Sequence, residues 1–226
     1  CTEDARLLAE FGEMFEGVIQ LGAILAVVIL FFGRLWPFSR TKSREERATT
    51  WSLWLKVIVA SVPAAFVGIV IDKLLEKLTS RDIDGWLYNS LVVAAALIVY
   101  GVAFILVEKR NAGKSPAVAD VHQIDMKTAL LIGCFQCLSL IPGTSRSGST
   151  ILGAILLGVS RSAGAEFSFF LAIPTMLGAS ALKLLKFLAD GVTATATEWG
   201  VLAVGCIVSF LVSVLVIRGL MEYVRK

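Results

Sequence analysis

Between two apolar arms of the chain lies the polar segment Pro142-Gly143-Thr144-Ser145-Arg146-Ser147-Gly148-Ser149-Thr150. The arms cover residues 129–141 and 151–159, and each is shorter than the stretch of about 20 residues that a helix needs to cross a bilayer. Irregular backbone is tolerated at membrane depth only where protein or a water-filled cavity covers it. The pattern therefore predicts that residues 128–159 form a re-entrant helix hairpin.

The composition of the whole chain is that of a membrane protein. Of its 226 residues, 57% are hydrophobic and 17% are charged, whereas soluble domains have roughly 45–50% and about 25%. This balance excludes a disordered or collagen-like chain. The net charge of +3 is too small to indicate a nucleic-acid partner. We interpret residues 1–226 as a single all-α domain, a polytopic membrane helix bundle.

Outside the hairpin, long apolar runs predict five membrane-spanning helices, over residues 14–36, 54–71, 86–107, 165–188 and 199–217. Tryptophan, which favours the membrane–water interface, occurs at the ends of these runs. Lysine and arginine are concentrated in the loops 37–53 and 108–126 and in the C-terminal tail, whereas the loop 189–198 has none. The positive-inside rule places the basic loops in the cytoplasm and 189–198 outside.

An internal repeat is visible when residue n is aligned with residue n+156. Five identities then fall within residues 10–23 and 166–179: Glu10/Glu166, Phe11/Phe167, Leu21/Leu177, Gly22/Gly178 and Ala23/Ala179. The first copy runs toward a basic loop and the second toward a loop without basic residues, which indicates an inverted-topology repeat. Counterparts of the hairpin and of the span 86–107 are then expected before residue 1 and after residue 226.

The polar segment has the composition of an anion site. Gly143 and Gly148 permit backbone conformations that other residues resist. Backbone N–H groups at a helix N-terminus form a cradle for anions, and Arg146 supplies a permanently charged, planar fork suited to phosphate oxygens. A charged residue at this depth is a functional candidate by default. The alternative is that Arg146 pairs with an acid or with carbonyl groups and only locks two helices together.

Three stretches of the sequence resemble one known family. Gln136 followed by Pro142-Gly143-x-Ser145-Arg146-Ser147-x-x-Thr150 resembles the second signature of the bacterial undecaprenyl-diphosphate phosphatases of the bacitracin-resistance type. The same family is resembled by Phe15-Glu16-x-x-Ile19-Gln20-Leu21-Gly22, and by the stretch Gly158-Val159-Ser160-Arg161 followed by Glu166-Phe167-Ser168-Phe169. The resemblance extends over essentially the whole chain.

This resemblance implies an enzyme of the bacterial plasma membrane that hydrolyses undecaprenyl diphosphate to undecaprenyl phosphate and phosphate, which recycles the lipid carrier of cell-wall synthesis. It also implies a helix bundle with inverted repeats and two re-entrant hairpins. Arg146 is then the catalytic clamp on the diphosphate. The substrate-binding residues implied by the same signature are Gln136, Gly143, Thr144, Ser145, Ser147, Gly148 and Thr150.

The family's first signature does not occur in this sequence. It is a pair of acids four residues apart, followed by a Pro-x-Ser-Ser segment and a histidine, and in the family it is thought to provide the acid and base groups, the candidate nucleophile and the metal contacts. A divalent metal, Mg²⁺ or Ca²⁺, is therefore expected as cofactor, although this sequence identifies no ligands for it. The expected partners are a polyprenyl diphosphate lipid, the membrane and, in a homodimer, a second copy of the chain.

Other readings of the same features stay open. Inverted repeats and broken helices suit a transporter or flippase of a phosphorylated polyprenyl lipid equally well. A type 2 phosphatidic acid phosphatase is disfavoured because no histidine and aspartate follow Thr150 at the required spacing.

The sequence also predicts the burial or pairing of several other side chains. We expect His122 to be solvated in a loop, and Glu16 to face the bundle interior. We expect Cys134 and Cys137 to be small packing residues. Glu166 is a candidate partner for Arg161 or Arg146.

Overall fold

Helices make up the regular secondary structure of this computed structural model, which describes residues 11–12, 14–39, 42–79, 89–111, 113–189 and 195–225. The helices are α1 (Gln20–Leu30), α2 (Phe32–Leu35), α3 (Arg44–Thr79), α4 (Ser90–Asn111), α5 (Met126–Gln136), α6 (Arg146–Leu156), α7 (Arg161–Ala189) and α8 (Ala196–Arg225). Within the described ranges no strand forms, and a single parallel bridge joins Val118 to Val159. The predicted all-α class is confirmed.

Four helices are long and apolar enough to cross a membrane: Arg44–Ile71, Ser90–Asn111, Arg161–Ala189 and Ala196–Val224. Their outward side chains are apolar; for example, Leu97 is 60% and Leu215 is 72% exposed. Large apolar faces of this kind mark a surface that meets lipid rather than water. The chain is a multi-pass membrane protein, as predicted, and four of the five predicted spans have helices in place.

The first predicted span is wrong as a continuous helix. The described apolar helix Met14–Leu30 is shorter than the four helices above. Phe31, with φ −109° and ψ 18°, leaves the helical conformation before α2 begins, and Trp36 ends α2 in an extended conformation. Because residues 23–32 are all apolar, the hydropathy pattern contains no signal for this break.

One compact unit of the chain contains the residues up to Trp36 and those from Ala172 onward. One cluster of its core contains the buried side chains Met14, Val18, Phe187 and Leu202. Helices α1 and α8 approach closely, since a Cβ atom on Gly22 would lie 2.9 Å from the Phe210 amide nitrogen. This contact needs glycine, because any larger residue would push the two backbones apart.

The second compact unit extends from Pro37 to Leu171 and contains all the residues of the predicted phosphate-binding signature. Helix α5 lies directly on α3, where a Cβ atom on Gly133 would be 2.8 Å from the Ala60 carbonyl carbon. Asp125 begins α5 as its N-cap and accepts the Thr128 N–H at 2.9 Å. Hydrogen bonds from Thr128 hold the pKa of the Asp125 carboxyl below its usual range. Packing and capping thus fix the start of the hairpin.

Candidate functional site

The predicted hairpin is a pair of short helices joined by a non-helical segment. Helices α5 and α6 have 11 residues each, and the 3₁₀ turn Cys137–Leu140 and residues 141–145 connect them. The two helices touch where Phe135 packs on Gly153, since a Cβ atom there would lie 2.5 Å from the phenylalanine ring. The break in the helix is as predicted. Its re-entrant course in the membrane stays a prediction.

The second arm begins earlier than the sequence pattern predicted. Residues 146–150 were expected to belong to the irregular link, and instead they form the first turns of α6. The cause is Ser145, which has extended backbone angles and whose Oγ accepts the Gly148 N–H at 3.1 Å. Serine is among the best helix N-caps because its oxygen satisfies an amide that the helix cannot. The arm also ends earlier, at Leu156 rather than 159.

The N-terminus of α6 therefore lies within the polar signature. Ser145 is exposed, and its Oγ lies 3.3 Å from the Ser147 Oγ. Helix amides and the helix dipole concentrate partial positive charge at this end. The two hydroxyl groups thus lie at the positive end of the helix, where an anionic oxygen is stabilised, whereas the Gly148 amide is already bonded to Ser145.

Arg146 is the first residue of α6 and is partly buried. Its carbonyl oxygen accepts the Ser149 hydroxyl at 2.9 Å and the Thr150 hydroxyl at 3.1 Å, so its backbone is held in place. The guanidinium group carries a charge that is permanent at any pH a protein meets. A cation on the first residue of a helix adds to the positive end of the dipole, an arrangement that an anionic ligand stabilises.

Gly143 cannot be replaced without moving the loop. Its φ of +89° lies in the left-handed region, and a Cβ atom on it would lie 2.8 Å from the Val93 carbonyl oxygen of α4. The loop continues through Thr144, whose N–H donates to the Ile141 carbonyl at 3.0 Å. At Gly148 the fit is less tight, with 3.1 Å from a Cβ atom to the Ser145 Cβ. The absence of a Cβ atom at Gly143 and Gly148 therefore allows the signature loop to pack closely against α4 and Ser145.

The remaining two predicted site residues are buried. Thr150 is 1% exposed, and its Oγ1 lies 2.7 Å from the Ser168 Oγ on α7. Gln136, the last residue of α5, is 3% exposed. Residues 143–145 and 147–148 are thus gathered in the loop and first turn around Arg146, whereas Thr150 joins α6 to α7. The substrate-binding roles stay predictions.

Known proteins match this chain over nearly its whole length. The family model of the bacitracin resistance protein BacA matches residues 4–226. The chain belongs to the BacA family. Among its relatives, an undecaprenyl-diphosphatase of Enterococcus faecalis is 52% identical over 220 residues, which are 97% of this chain and 77% of the relative.

Further members of the BacA family are equally similar. An undecaprenyl-diphosphatase of Limosilactobacillus fermentum is 54% identical over 216 residues, covering 96% of this chain and 75% of the relative. Undecaprenyl-diphosphatase 1 of Clostridioides difficile is 54% identical over 216 residues, which are 96% of this chain and 74% of the relative. The family resemblance predicted from the signature residues is confirmed.

Ser168 has a role in this BacA-family protein that the sequence did not indicate. Its hydroxyl group is buried beside that of Thr150, 18 residues earlier in the chain. The residue lies within the Glu166–Phe169 match to the family, but a serine in an apolar helix gives no signal for its partner. The contact appears only when α6 and α7 are packed together.

We expect Thr150→Val to destabilise the protein. The substitution keeps the shape of the side chain and leaves the buried Ser168 hydroxyl without this partner, which costs about 1–3 kcal/mol. The measurement is the melting temperature in detergent. Ser168→Ala removes the same contact, so the double variant should melt close to the single ones. Unchanged melting of both single variants would contradict a tethering role.

The structure shows contacts for two of the other candidate side chains, Arg161 and His122. Arg161 pairs with Glu108, with its Nε 3.1 Å from Oε2, rather than with Glu166, which is buried in α7. Two hydrogen bonds hold the backbone of His122. Its N–H donates to the Asp120 carboxylate at 2.9 Å, and its carbonyl oxygen accepts from the Lys56 ammonium group at 3.1 Å. It is half-buried rather than solvated.

Two expectations of burial are wrong. Glu16 is exposed rather than directed into the protein interior, and Cys134 is exposed rather than packed. Cys137 is half-buried, and both thiols are free. Glu10 and Glu13, which share a helical spacing with Glu16, lie outside the described residues. Helical spacing identifies which residues share a face, but not what that face contacts.

The expected divalent metal finds no complete ligand set in the described part of the chain. There, no three histidine, cysteine, aspartate or glutamate side chains come together in a way that would hold an ion. Mg²⁺ and Ca²⁺ prefer carboxylate and carbonyl oxygens. The described residues therefore do not fit the metal by themselves, and we derive no chemical step through it.

Proposed function

We propose that this chain hydrolyses undecaprenyl diphosphate to undecaprenyl phosphate and inorganic phosphate, and so recycles the lipid carrier of cell-wall synthesis. The proposal is carried by one observation: proteins named undecaprenyl-diphosphatase are 52% and 54% identical to this chain over nearly its whole length. The protein acts within the bacterial membrane, which its four long apolar helices cross.

The signature loop supports this reaction by its charge and its shape. A diphosphate brings several anionic oxygens, and the guanidinium of Arg146 offers parallel N–H donors for two of them. Ser145 and Ser147 place hydroxyl groups at the same helix end. Charge moves onto the bridging oxygen as its bond to the terminal phosphorus breaks, and fixed positive groups stabilise that charge.

The overall reaction consumes one water molecule. The water oxygen becomes bonded to the terminal phosphorus, the bond from that phosphorus to the bridging oxygen breaks, and the bridging oxygen stays with the lipid monophosphate. In this scheme Arg146 and the first turn of α6 bind and orient the diphosphate. Their role is positioning and electrostatic stabilisation, which supply most of the catalysis in phosphoryl transfer.

The direct test is phosphate release by the purified full-length protein in detergent, with a polyprenyl diphosphate as substrate. We expect one equivalent of phosphate for each lipid monophosphate formed. A protein that releases no phosphate, but moves a labelled polyprenyl phosphate across liposome membranes, would instead be the transporter or flippase that its broken helices also suit. That outcome would overturn the proposed hydrolysis.

A divalent metal requirement is part of the proposal. Metal ions neutralise developing charge in phosphoryl transfer. We expect EDTA to abolish phosphate release by the full-length protein, and excess Mg²⁺ or Ca²⁺ to restore it. Isothermal titration calorimetry of the EDTA-treated protein, after EDTA is removed, with each ion gives a second readout that is independent of turnover. Full activity in EDTA, together with no metal binding, would contradict the requirement.

The homodimer expected from the sequence is likewise a proposal. The measurement is the protein mass in detergent, by light scattering after size-exclusion chromatography. A mass of one chain at all concentrations would contradict it.

A further inference from the structure

Helix α4 places three residues along the phosphate signature loop. A Cβ atom on Gly143 would meet the backbone of Val93, and one on Gly148 would lie 3.5 Å from the Phe104 ring. Tyr100 lies between these two positions on the same helix, with its side chain close to that of Thr144. Residues 93, 100 and 104 are seven and four positions apart, so they share one face of α4.

The Thr144 hydroxyl is buried within this contact. Its Oγ1 makes no hydrogen bond of ordinary geometry with any residue that the structure describes. The hydroxyl groups of Tyr100 and Thr144 are therefore neighbours whose geometry is not that of a hydrogen bond. Buried hydroxyl groups are almost always hydrogen-bonded in native structures, so this exception calls for an explanation.

We propose that Tyr100 is a positioning residue of the phosphate site, and that its hydroxyl group bonds Thr144 when the diphosphate occupies the loop. This inference rests on the proposed function. Thr144 immediately precedes the helix cap Ser145 and lies two residues before Arg146. Fixing the Thr144 side chain therefore fixes the backbone from which the cap and the guanidinium extend. Hydrogen bonds in active sites are commonly long without substrate and tighten in the complex.

The position of Tyr100 explains why the sequence did not reveal this role. It lies in an apolar run that predicts an ordinary membrane-spanning helix. In the chain it is 44 residues before Thr144. Tyrosine near the middle of a span differs from the tyrosines of the interfacial belts, because its hydroxyl group needs a partner inside the protein. The polar loop of the signature is the partner that the fold supplies.

The test begins with Tyr100→Phe in the full-length protein, assayed by phosphate release from a polyprenyl diphosphate. The ring stays and only the hydroxyl group is lost. We expect kcat to fall about tenfold, the effect of one lost hydrogen bond in the transition state, while KM changes by less than about twofold. Tyr223→Phe is the matched control, since Tyr223 is 77% exposed on α8 and should leave kcat unchanged.

A double-variant cycle with Thr144→Val shows whether the two hydroxyl groups act together. Thr144→Val alone should lower kcat by a similar factor, and Tyr100→Phe combined with Thr144→Val should be no slower than either single variant. Losses that multiply would overturn the proposal. A reduced melting temperature with unchanged kcat per folded molecule would also overturn it, because Tyr100 would then be a packing residue.

The assay separates this inference from the function on which it rests. Wild-type protein that releases no phosphate overturns the proposed hydrolysis, and with it the role of Tyr100. An active wild type together with an unaffected Tyr100→Phe variant overturns the positioning role alone.

Discussion

Replacing Arg146 with lysine is expected to reduce turnover nearly as much as replacing it with alanine. An ammonium group keeps the charge but cannot offer two parallel N–H donors to a pair of phosphate oxygens. By analogy with the loss of one oxyanion-stabilising donor, we expect a loss of about 10²–10³-fold in kcat, or roughly 3–4 kcal/mol. KM should rise less than kcat falls, because the contact strengthens as charge develops on the departing oxygen.

Steady-state kinetics and melting curves on the same purified variants distinguish catalysis from packing. Arg161→Lys is the matched control, because Arg161 pairs with Glu108 near the surface and lies outside the signature. It should retain turnover. If Arg146 only tied helices together, its lysine variant would melt at a lower temperature with normal kcat per folded molecule. A well-folded Arg146→Lys protein with near-normal turnover would refute the phosphate clamp.

Gly143→Ala should have the second largest effect, on both stability and turnover. An alanine at φ +89° costs about 1–2 kcal/mol from the left-handed backbone alone. Its Cβ would also lie 2.8 Å from the Val93 carbonyl oxygen and 2.9 Å from the Val93 Cα, so the loop or α4 must move. We expect a total loss of about 2–4 kcal/mol in unfolding free energy. A loop displaced by roughly 1 Å should lower kcat by about 10²-fold.

Gly113→Ala separates the two causes. Gly113 has φ +76° and nothing within 4 Å of a Cβ atom, so its replacement introduces backbone strain without a clash. Its variant should lose only about 1–2 kcal/mol and keep normal turnover. Equal effects of Gly113→Ala and Gly143→Ala on melting temperature and kcat would show that the approach of the loop to Val93 is unimportant.

Much of the helical layout follows from the sequence because hydropathy reports directly on burial in lipid. A run of about 20 apolar residues has few alternatives to a membrane helix. The segment from Pro142 to Thr150 likewise indicates the helix break, because Pro142 and Gly143 disfavour a continuous helix, although residues 146–150 already belong to α6. Hydropathy does not report on local backbone angles, and for this reason the break at Phe31 was missed. The helix start at Arg146 was missed because it depends on the single Ser145 cap.

The sequence by itself determined the membrane class, the place of the helix break and the family, since these depend on composition and on residues adjacent in the chain. Only the tertiary structure decided which polar groups meet across helices. It placed Thr150 against Ser168, Arg161 against Glu108 and the signature loop against Val93 and Phe104 of α4. Each of these contacts joins residues 18 to 53 positions apart. Partners at such separations are chosen by how the helices pack, and apolar helices that look alike in sequence do not specify which of their faces meet.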